Sequence, residues 1–317
     1  MSQKYSSVVV GLGRIGALYP SENAPRSHTA AYKENEKVIM IAGVDPSVEI
    51  RLRFRELWGD DIKLFASVKD MIDAGLRPDI VSICTTPEIL QENIKDFIGY
   101  NPQIYFLEKP AVSSEQQCAD ILGALRGIPV AVNYHRCWDP KHKIFFKKIN
   151  EHKVYTIRVL YSKGLLNYAS HIIALLIQNF GEIYSITKGP KGKGCIDSED
   201  CSENFSLYFN QGFTAIFQGF DDINYDLMEL DVVTDAGIYS LKSGGCRLRY
   251  EKPSEDFFYP NYTSLTDYSL NLEDGQVEGL SQAVENIVNF LDKKTDKLQC
   301  DLQCCVNVFK VIQQVKN

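Results

Sequence analysis

The 317-residue sequence lacks the features that define several large protein classes. No apolar run approaches the roughly 20 residues that a membrane-spanning helix needs, so no membrane association is expected. Basic residues are outnumbered, and the net charge is −7. That balance gives no footprint for nucleic acid and bears mainly on solubility. The opening Met1-Ser2-Gln3-Lys4-Tyr5 shows none of the basic, apolar and cleavage regions of a signal peptide, so a cytoplasmic location is expected. No C-x-x-C occurs among the nine cysteines, whose odd number in a chain of this size argues against a disulfide framework. Cys195 and Cys201, in a loop, are the pair to test. Cys300, Cys304 and Cys305 invite a metal reading. However, Leu302, Cys305, Val306, Phe309 and Ile312 recur at helical spacing, so Cys305 reads as a small buried hydrophobe and no metal site is expected. Internal repeats and low-complexity linkers are also missing.

What is present is enough chain for two domains. Short apolar segments at residues 5–10, 38–44, 80–84, 103–107 and 130–133 read as strands. Helical stretches, including 87–98 and 114–125, separate them. That alternation predicts a parallel, doubly wound sheet over residues 1–133. Beyond it the pattern changes. Residues 154–162, 183–188, 204–210, 213–219, 227–234 and 238–242 read as strands, several with strict alternation, as in Phe205, Leu207 and Phe209. Asn210-Gln211-Gly212 makes a hairpin-like break. Residues 134–317 are therefore expected to form an α/β domain with an open, mostly antiparallel sheet. A long helix at 165–179 interrupts the strands. Val277, Leu280, Val284, Ile287, Val288 and Leu291 place a closing helix on one apolar face.

The first strand runs into Gly11-Leu12-Gly13-Arg14-Ile15-Gly16, the G-x-G-x-x-G spacing that lets a dinucleotide pyrophosphate approach backbone amides. The second strand ends at Asp45, placed to accept both ribose hydroxyls and so to favour NAD over NADP. Asp45 lies further on than the usual roughly 20 residues, and a Pro-bearing insertion at residues 19–27 accounts for the excess. Arg51 and Arg53 keep a phosphate-tolerant site open. Thr85, Thr86 and Pro87 follow the strand at 80–84 and are placed to line the nicotinamide side, or simply to cap a helix. Glu108 and Lys109 follow the strand at 103–107, where an open α/β sheet delivers its ligands. A lysine there can polarise a hydroxyl or carbonyl, with Glu108 orienting it. His171 starts a helix with Asn167 four residues before it, and its imidazole suits proton transfer from an alcohol.

These motifs, taken in order, resemble the glucose–fructose oxidoreductase/inositol dehydrogenase family, Gfo/Idh/MocA. The likeness runs through the glycine loop, Asp45, Thr86-Pro87, Glu108-Lys109-Pro110, Asn133-Tyr134-His135-Arg136 with Asp139-Pro140, and Gly164 through His171. It implies a Rossmann domain followed by an α/β domain with an open sheet, with Lys109 and His171 as the catalytic pair. It also implies assembly through the outer face of the second sheet into a homodimer or homotetramer. Three positions depart from the family pattern. Asn167 stands where many members carry aspartate, Gln91 where histidine is frequent, and Cys137 where arginine is frequent.

The leading reading is an NAD-dependent dehydrogenase acting on a secondary alcohol of a sugar, cyclitol or sugar derivative. Tyr134, Arg136, Lys163 and Asn167 are its candidate substrate contacts. The three departures keep a second reading open, a sensor or assembly partner that binds NAD without turnover. A third is an enzyme that recycles tightly bound NAD within one catalytic cycle.

Overall fold

The computed structural model describes residues 4–19, 25–97, 99–190, 194 and 200–317. It divides into two compact units, Met1–Trp138 with Glu278–Val306 and Asp139–Val277 with Asn307–Asn317.

The first unit contains β1 (Tyr5–Val10), α1 (His28–Glu34), β2 (Val38–Val44), α2 (Val48–Trp58), β3 (Lys63–Phe65) and α3 (Val68–Asp73). It continues with β4 (Ile80–Ile83), α4 (Pro87–Asp96), β5 (Ile104–Leu107), α5 (Glu115–Ala124) and β6 (Val130–Val132). The strands are parallel, in the order β3-β2-β1-β4-β5-β6. Their continuous apolar runs have a direct cause. Helices cover both faces of a parallel sheet, and Val8, Val9, Ile80, Val81, Ile104 and Phe106 are all fully buried. The helices start where the sequence supplies caps. Ser27, Ser47, Ser67 and Ser114 each accept a backbone N–H from the residue three further on, and Pro87 occupies the first turn of α4.

The second unit opens with α6 (Pro140–Ile149), β7 (Val154–Tyr161) and α7 (Ser170–Phe180). Then come β8 (Ile183–Lys188), β9 (Phe205–Phe209), β10 (Thr214–Gly219), β11 (Met228–Thr234), β12 (Gly237–Lys242), β13 (Arg247–Glu255) and β14 (Thr263–Tyr268). The chain ends with α8 (Gly279–Leu291), which belongs to the first unit, and α9 (Leu302–Lys316). The sheet order is β14-β13-β12-β11-β7-β10-β9-β8, antiparallel except for the central β7–β10 pair. β13 and β14 escape a reading based on apolar alternation because they are charged and polar and carry Pro253 near the sheet edge. The helix expected at 165–179 is broken in two. Leu165–Ala169 is a wide π-helical turn, and the α-helix begins only at Ser170.

Alternation in β7, β9 and β10 sends Ile157, Val159, Tyr161, Phe205, Leu207, Phe209, Ala215 and Phe217 into the core. Phe180 at the end of α7 meets Phe146, Phe209 and Phe213 at ring separations of 5.9, 6.2 and 5.1 Å. Phe205 stacks on Phe217 at 4.3 Å. The opposite face is less apolar than open alternation implies. Ser206, Ile216, Arg158, Asp231, Ser240 and Arg249 stand opposite one another across six strands. Asp231 accepts from Arg158 at 2.5 Å, Ser240 at 2.7 Å and Lys242 at 2.8 Å. Burial alone would raise its pKa, but these bonds outweigh burial and hold the carboxyl below its ordinary range.

Among the described residues no helix is long and apolar enough to cross a membrane. Cys201 is disulfide-bonded, and Cys195 lies outside the described residues. Cys305, Val306, Phe309 and Ile312 are buried along α9.

Phe180 makes three aromatic contacts and is buried. Phe180→Ala should therefore destabilise the protein by about 3–5 kcal/mol, the usual cost of emptying a large aromatic site. Urea unfolding followed by circular dichroism would register it; a change too small to resolve would mean that the ring cluster does not organise this core.

Candidate functional site

The geometry of the first unit follows from strand register. Val10 pairs with Val44 and Ile83, Val44 with Phe65, Ile83 with Leu107, and Leu107 with Val132. The carboxyl ends of all six strands are thus level. The next residue of five of these strands continues the ladder: Gly11 N–H donates to Val44, Cys84 to Val10, Glu108 to Ile83, Asn133 to Leu107 and Asp45 to Phe65, at 2.7–3.1 Å. Asp45, Gly11, Cys84, Glu108 and Asn133 therefore form one row across the edge where doubly wound sheets bind ligands. The order reverses between β1 and β4, which is the switch point itself.

The glycine loop occupies that point, and its glycines differ in their reasons. Gly11 has φ +86°, and a Cβ there would sit 2.9 Å from the Cys84 carbonyl oxygen. A Cβ on Gly16 would lie 1.9 Å from the Gly11 carbonyl oxygen, so Gly16 permits the loop to close on itself. A Cβ on Gly13 would meet no protein atom within 4 Å. The absence of a side chain at Gly13 leaves open space, which fits the backbone approach of a pyrophosphate. Leu12 is buried, Ile15 half-buried and Arg14 exposed. Arg14–Leu18 forms a π-helical turn, with the Ala17 and Leu18 amides both donating to Gly13 O. The helix resumes at α1, tied back by Thr29 Oγ1 donating to Gly16 O at 2.8 Å. Of the insertion at 19–27, residues 20–24 lie outside the described residues.

Asp45 stands beside this loop. Its Oδ2 accepts from Leu12 N–H and its Oδ1 from Ser47 N–H, both at 2.9 Å. A carboxylate has about four acceptor positions, so each oxygen keeps capacity for a ribose hydroxyl. Arg51 donates to the Asp45 backbone carbonyl. Thr86 holds the N-cap position of α4 ahead of Pro87 without a side-chain capping bond, and its hydroxyl bonds Glu88 instead, holding that carboxyl below its usual range. Thr85 Oγ1 accepts from Asn93 at 3.2 Å.

Glu108 is 8% exposed and gathers three donors. Its Oε1 lies 2.9 Å from His28 Nε2 and accepts from Asn133 Nδ2 at 2.6 Å. Its Oε2 accepts from Lys109 N–H at 3.2 Å. His28 Nδ1 lies 2.9 Å from Ser82 Oγ, which in turn lies 2.5 Å from the Tyr32 hydroxyl. Burial, followed by the Glu108 charge, pushes the Cys84 thiol well above its ordinary value. Half-buried Lys109 emerges directly from this polar knot.

In the second unit, Gly164 has φ +91° and turns the chain from β7 into the π-helical segment. Asp200 caps that segment, accepting from Leu166 N–H at 2.7 Å and Asn167 N–H at 3.0 Å. A Cβ on Gly164 would fall 2.1 Å from Asp200 Oδ2, which explains the glycine. His171 is 4% exposed at the start of α7, while Asn167 is exposed. The α-helical phase expected between them does not apply, because the turn before Ser170 is π-helical. Lys163 pairs with Asp226 and lies 5.7 Å over the Tyr168 ring. Asp226 raises the Lys163 pKa. Tyr134, in the first unit, is 1% exposed and points into the interior among Cys300, Cys304 and Cys305, where burial drives its hydroxyl pKa far up. Arg136 is half-buried, and Gln91 is bonded to Asp120 at 2.6 Å.

Sequence reasoning missed His28, Ser82 and Asp200. The first two carry no motif, and folding alone brings His28 to Glu108 and Ser82 to His28. Asp200 lies more than thirty positions from the turn it caps. Among the described residues, no group of three or more His, Cys, Asp or Glu side chains could hold a metal ion.

No curated protein matches the chain in sequence. Solved structures match its fold along nearly the full length. The UDP-N-acetylglucosamine 3-dehydrogenase GnnA from Acidithiobacillus ferrooxidans is 13% identical with TM-score 0.77, over 99% of this chain and 97% of that one. The WlbA dehydrogenase from Bordetella pertussis, in complex with NADH and UDP-GlcNAcA, is 14% identical with TM-score 0.75, over 99% and 97%. An oxidoreductase from Agrobacterium radiobacter, in complex with NAD+, L-tartaric acid and magnesium, is 12% identical with TM-score 0.76, over 99% and 97%. At these identities the likeness speaks for the fold. The model of the Gfo/Idh/MocA oxidoreductase family, NAD-binding Rossmann fold, matches residues 6–134. Over residues 6–134 the chain is thus similar to the NAD-binding Rossmann domain of that family, in agreement with the parallel six-stranded sheet.

Proposed function

We propose that the protein is an NAD-dependent dehydrogenase acting on a secondary alcohol, or the corresponding ketone, of a sugar, cyclitol or sugar derivative. The observation that carries this reading is the level edge of the first sheet. It lines up Asp45, the glycine loop and the Glu108–Lys109 turn on one rim. Bound NAD supplies a hydride acceptor or donor. Gly11 to Gly16 hold its pyrophosphate, Asp45 its adenosine ribose, and Thr85, Thr86, Pro87 and Glu108 border its nicotinamide side. Lys109 orients and polarises the reacting oxygen, and His171 takes or returns that oxygen's proton. Residues 134–317 supply substrate binding and assembly, with Arg136, Asn167 and the Lys163–Asp226 pair as contacts. Tyr134 is left out of this set because it faces the interior.

Titration calorimetry tests the cofactor half. NADH should bind more tightly than NADPH by about tenfold or more, since Asp45 cannot hydrogen-bond a 2′-phosphate and repels it. Gly13→Ala should fold normally, since its Cβ meets no protein atom within 4 Å, yet lose NADH affinity. Parental NADH binding by that variant would remove the loop from the pyrophosphate site; a preference for NADPH would remove Asp45 from the ribose.

The catalytic half is tested by turnover. Nucleotide sugars, free sugars and inositols are screened with NAD, nucleotide sugars first because two structures of similar fold are described with them. Lys109→Met and His171→Ala should each lower turnover about 10²–10⁴-fold while NADH affinity stays near parental. Parental turnover in both variants would show that the chemistry lies elsewhere.

Assembly into a homodimer or homotetramer draws support from exposed apolar groups on the second unit. Ile216 is 45% exposed on the outer sheet face, and Phe257 and Phe258 are 91% and 79% exposed between β13 and β14. Sedimentation at micromolar concentration should show species above the 35.9 kDa monomer. A monomer alone would refute the assembly.

A further inference from the structure

We propose that His28 is a positioning residue for Lys109, acting through Glu108, and that Ser82 and Tyr32 set its orientation. The proposal rests on the reading of Lys109 given above. His28 is separated by eighty positions from Glu108, yet both its ring nitrogens are engaged, one by Glu108 and one by Ser82. The ring packs on Phe106 with centroids 4.4 Å apart. His28, Ser82 and Tyr32 are all 0% exposed, so bulk solvent does not compete for these bonds. Ser82 and Phe106 are directly paired on β4 and β5, so the floor under His28 is part of the sheet and cannot shift alone.

The chemistry of the donors gives the chain a direction. A carboxylate only accepts, so His28 Nε2 and Asn133 Nδ2 both donate to Glu108 Oε1. With the imidazole neutral, His28 Nδ1 is left to accept, and Ser82 supplies that proton. Ser82 has a single proton, so its Oγ in turn accepts from the Tyr32 hydroxyl. Every proton in the series points toward Glu108. The outcome is a carboxylate with one oxygen immobilised by two side chains and the other left to accept the Lys109 backbone N–H. Two side-chain bonds to one oxygen determine where the other stands, and so where the turn into Lys109 stands. The helix that brings His28 here begins only after the insertion, at the Ser27 cap. Restarting the interrupted helix therefore has a use, because it delivers the imidazole under the β5 turn.

The test uses the full-length protein with His28→Phe, which keeps ring volume and removes both polar atoms, and His28→Gln, which retains a donor and an acceptor. Two readouts are taken. The first is amide hydrogen exchange of a peptide covering residues 107–111, compared with one covering β11 and β12. The second is kcat and KM with the substrate found in the screen above. His28→Phe should accelerate exchange at 107–111 about tenfold while leaving β11 and β12 unchanged, the signature of local opening. It should lower kcat by about tenfold to a hundredfold with little change in KM, as misplacement of a catalytic group does. His28→Gln should restore much of both. If His28→Phe does not fold, Ser82→Ala, which removes only the Nδ1 partner, should give the same local acceleration in weaker form. Unchanged exchange at 107–111, equal acceleration of both peptides, or no recovery in His28→Gln would overturn the positioning role. A failure of Lys109 itself is separable: Lys109→Met would then keep parental turnover, while the exchange result for His28→Phe would still stand.

Discussion

The structure depends on one constraint, the level termination of the parallel strands in the first unit. Parallel pairing sets neighbours at fixed offsets, and here the offsets bring Val10, Val44, Phe65, Ile83, Leu107 and Val132 to a common edge. The residues that follow have no freedom to scatter, because their amides continue the ladder. A glycine, two acids, a cysteine and an asparagine thereby become neighbours although they are spread over more than a hundred positions. Burial on both faces then limits what these side chains can do. The carboxylate at β2 takes backbone amides, the carboxylate at β5 takes His28 and Asn133, and the thiol at β4 is held protonated.

The same edge shows how a break in local regularity is absorbed. The helix after the glycine loop is reduced to a π-helical turn, and α1 resumes beyond the insertion. Thr29 bonds Gly16 and Trp58 Nε1 bonds Ala17 O at 3.0 Å, so side chains from two helices replace the continuity of one. The second unit repeats the device. Leu165–Ala169 is again π-helical, a glycine precedes it, and Asp200 satisfies the amides that its first turn leaves open. Wide turns of this kind recur at functional sites because they shift side chains out of α-helical phase.

The second sheet is built on a different rule. One face is aromatic and closed, with rings from α6, α7, β9 and β10 in contact. The other carries a polar row in which Asp231 joins Arg158, Ser240 and Lys242. Cross-strand ion pairs fix register on that face as side-chain packing does on the other. The same face presents Ile216 at its surface.

Much of this was legible in the sequence. Apolar runs without alternation announced strands buried on two faces, alternation announced the half-buried sheet, and G-x-G-x-x-G after a strand marked the dinucleotide loop. Pro87 and Ser114 marked the starts of two helices within a residue. These features are local: period, cap and turn chemistry act over a few positions, so a single chain displays them. Folding alone decided the rest. That β13 and β14 are strands depends on β12 offering an edge, since their own pattern is polar. Tyr134, which reads as a rim residue beside Arg136, turns inward beside Cys300 and Cys305 and is 1% exposed. His28 reads as an ordinary polar residue next to a cap. It becomes part of the site because the order β1-β4-β5 brings Ser82, Phe106 and Glu108 around one helix. Contacts at long sequence separation are set by topology, and topology leaves no mark on the spacing of the residues it joins.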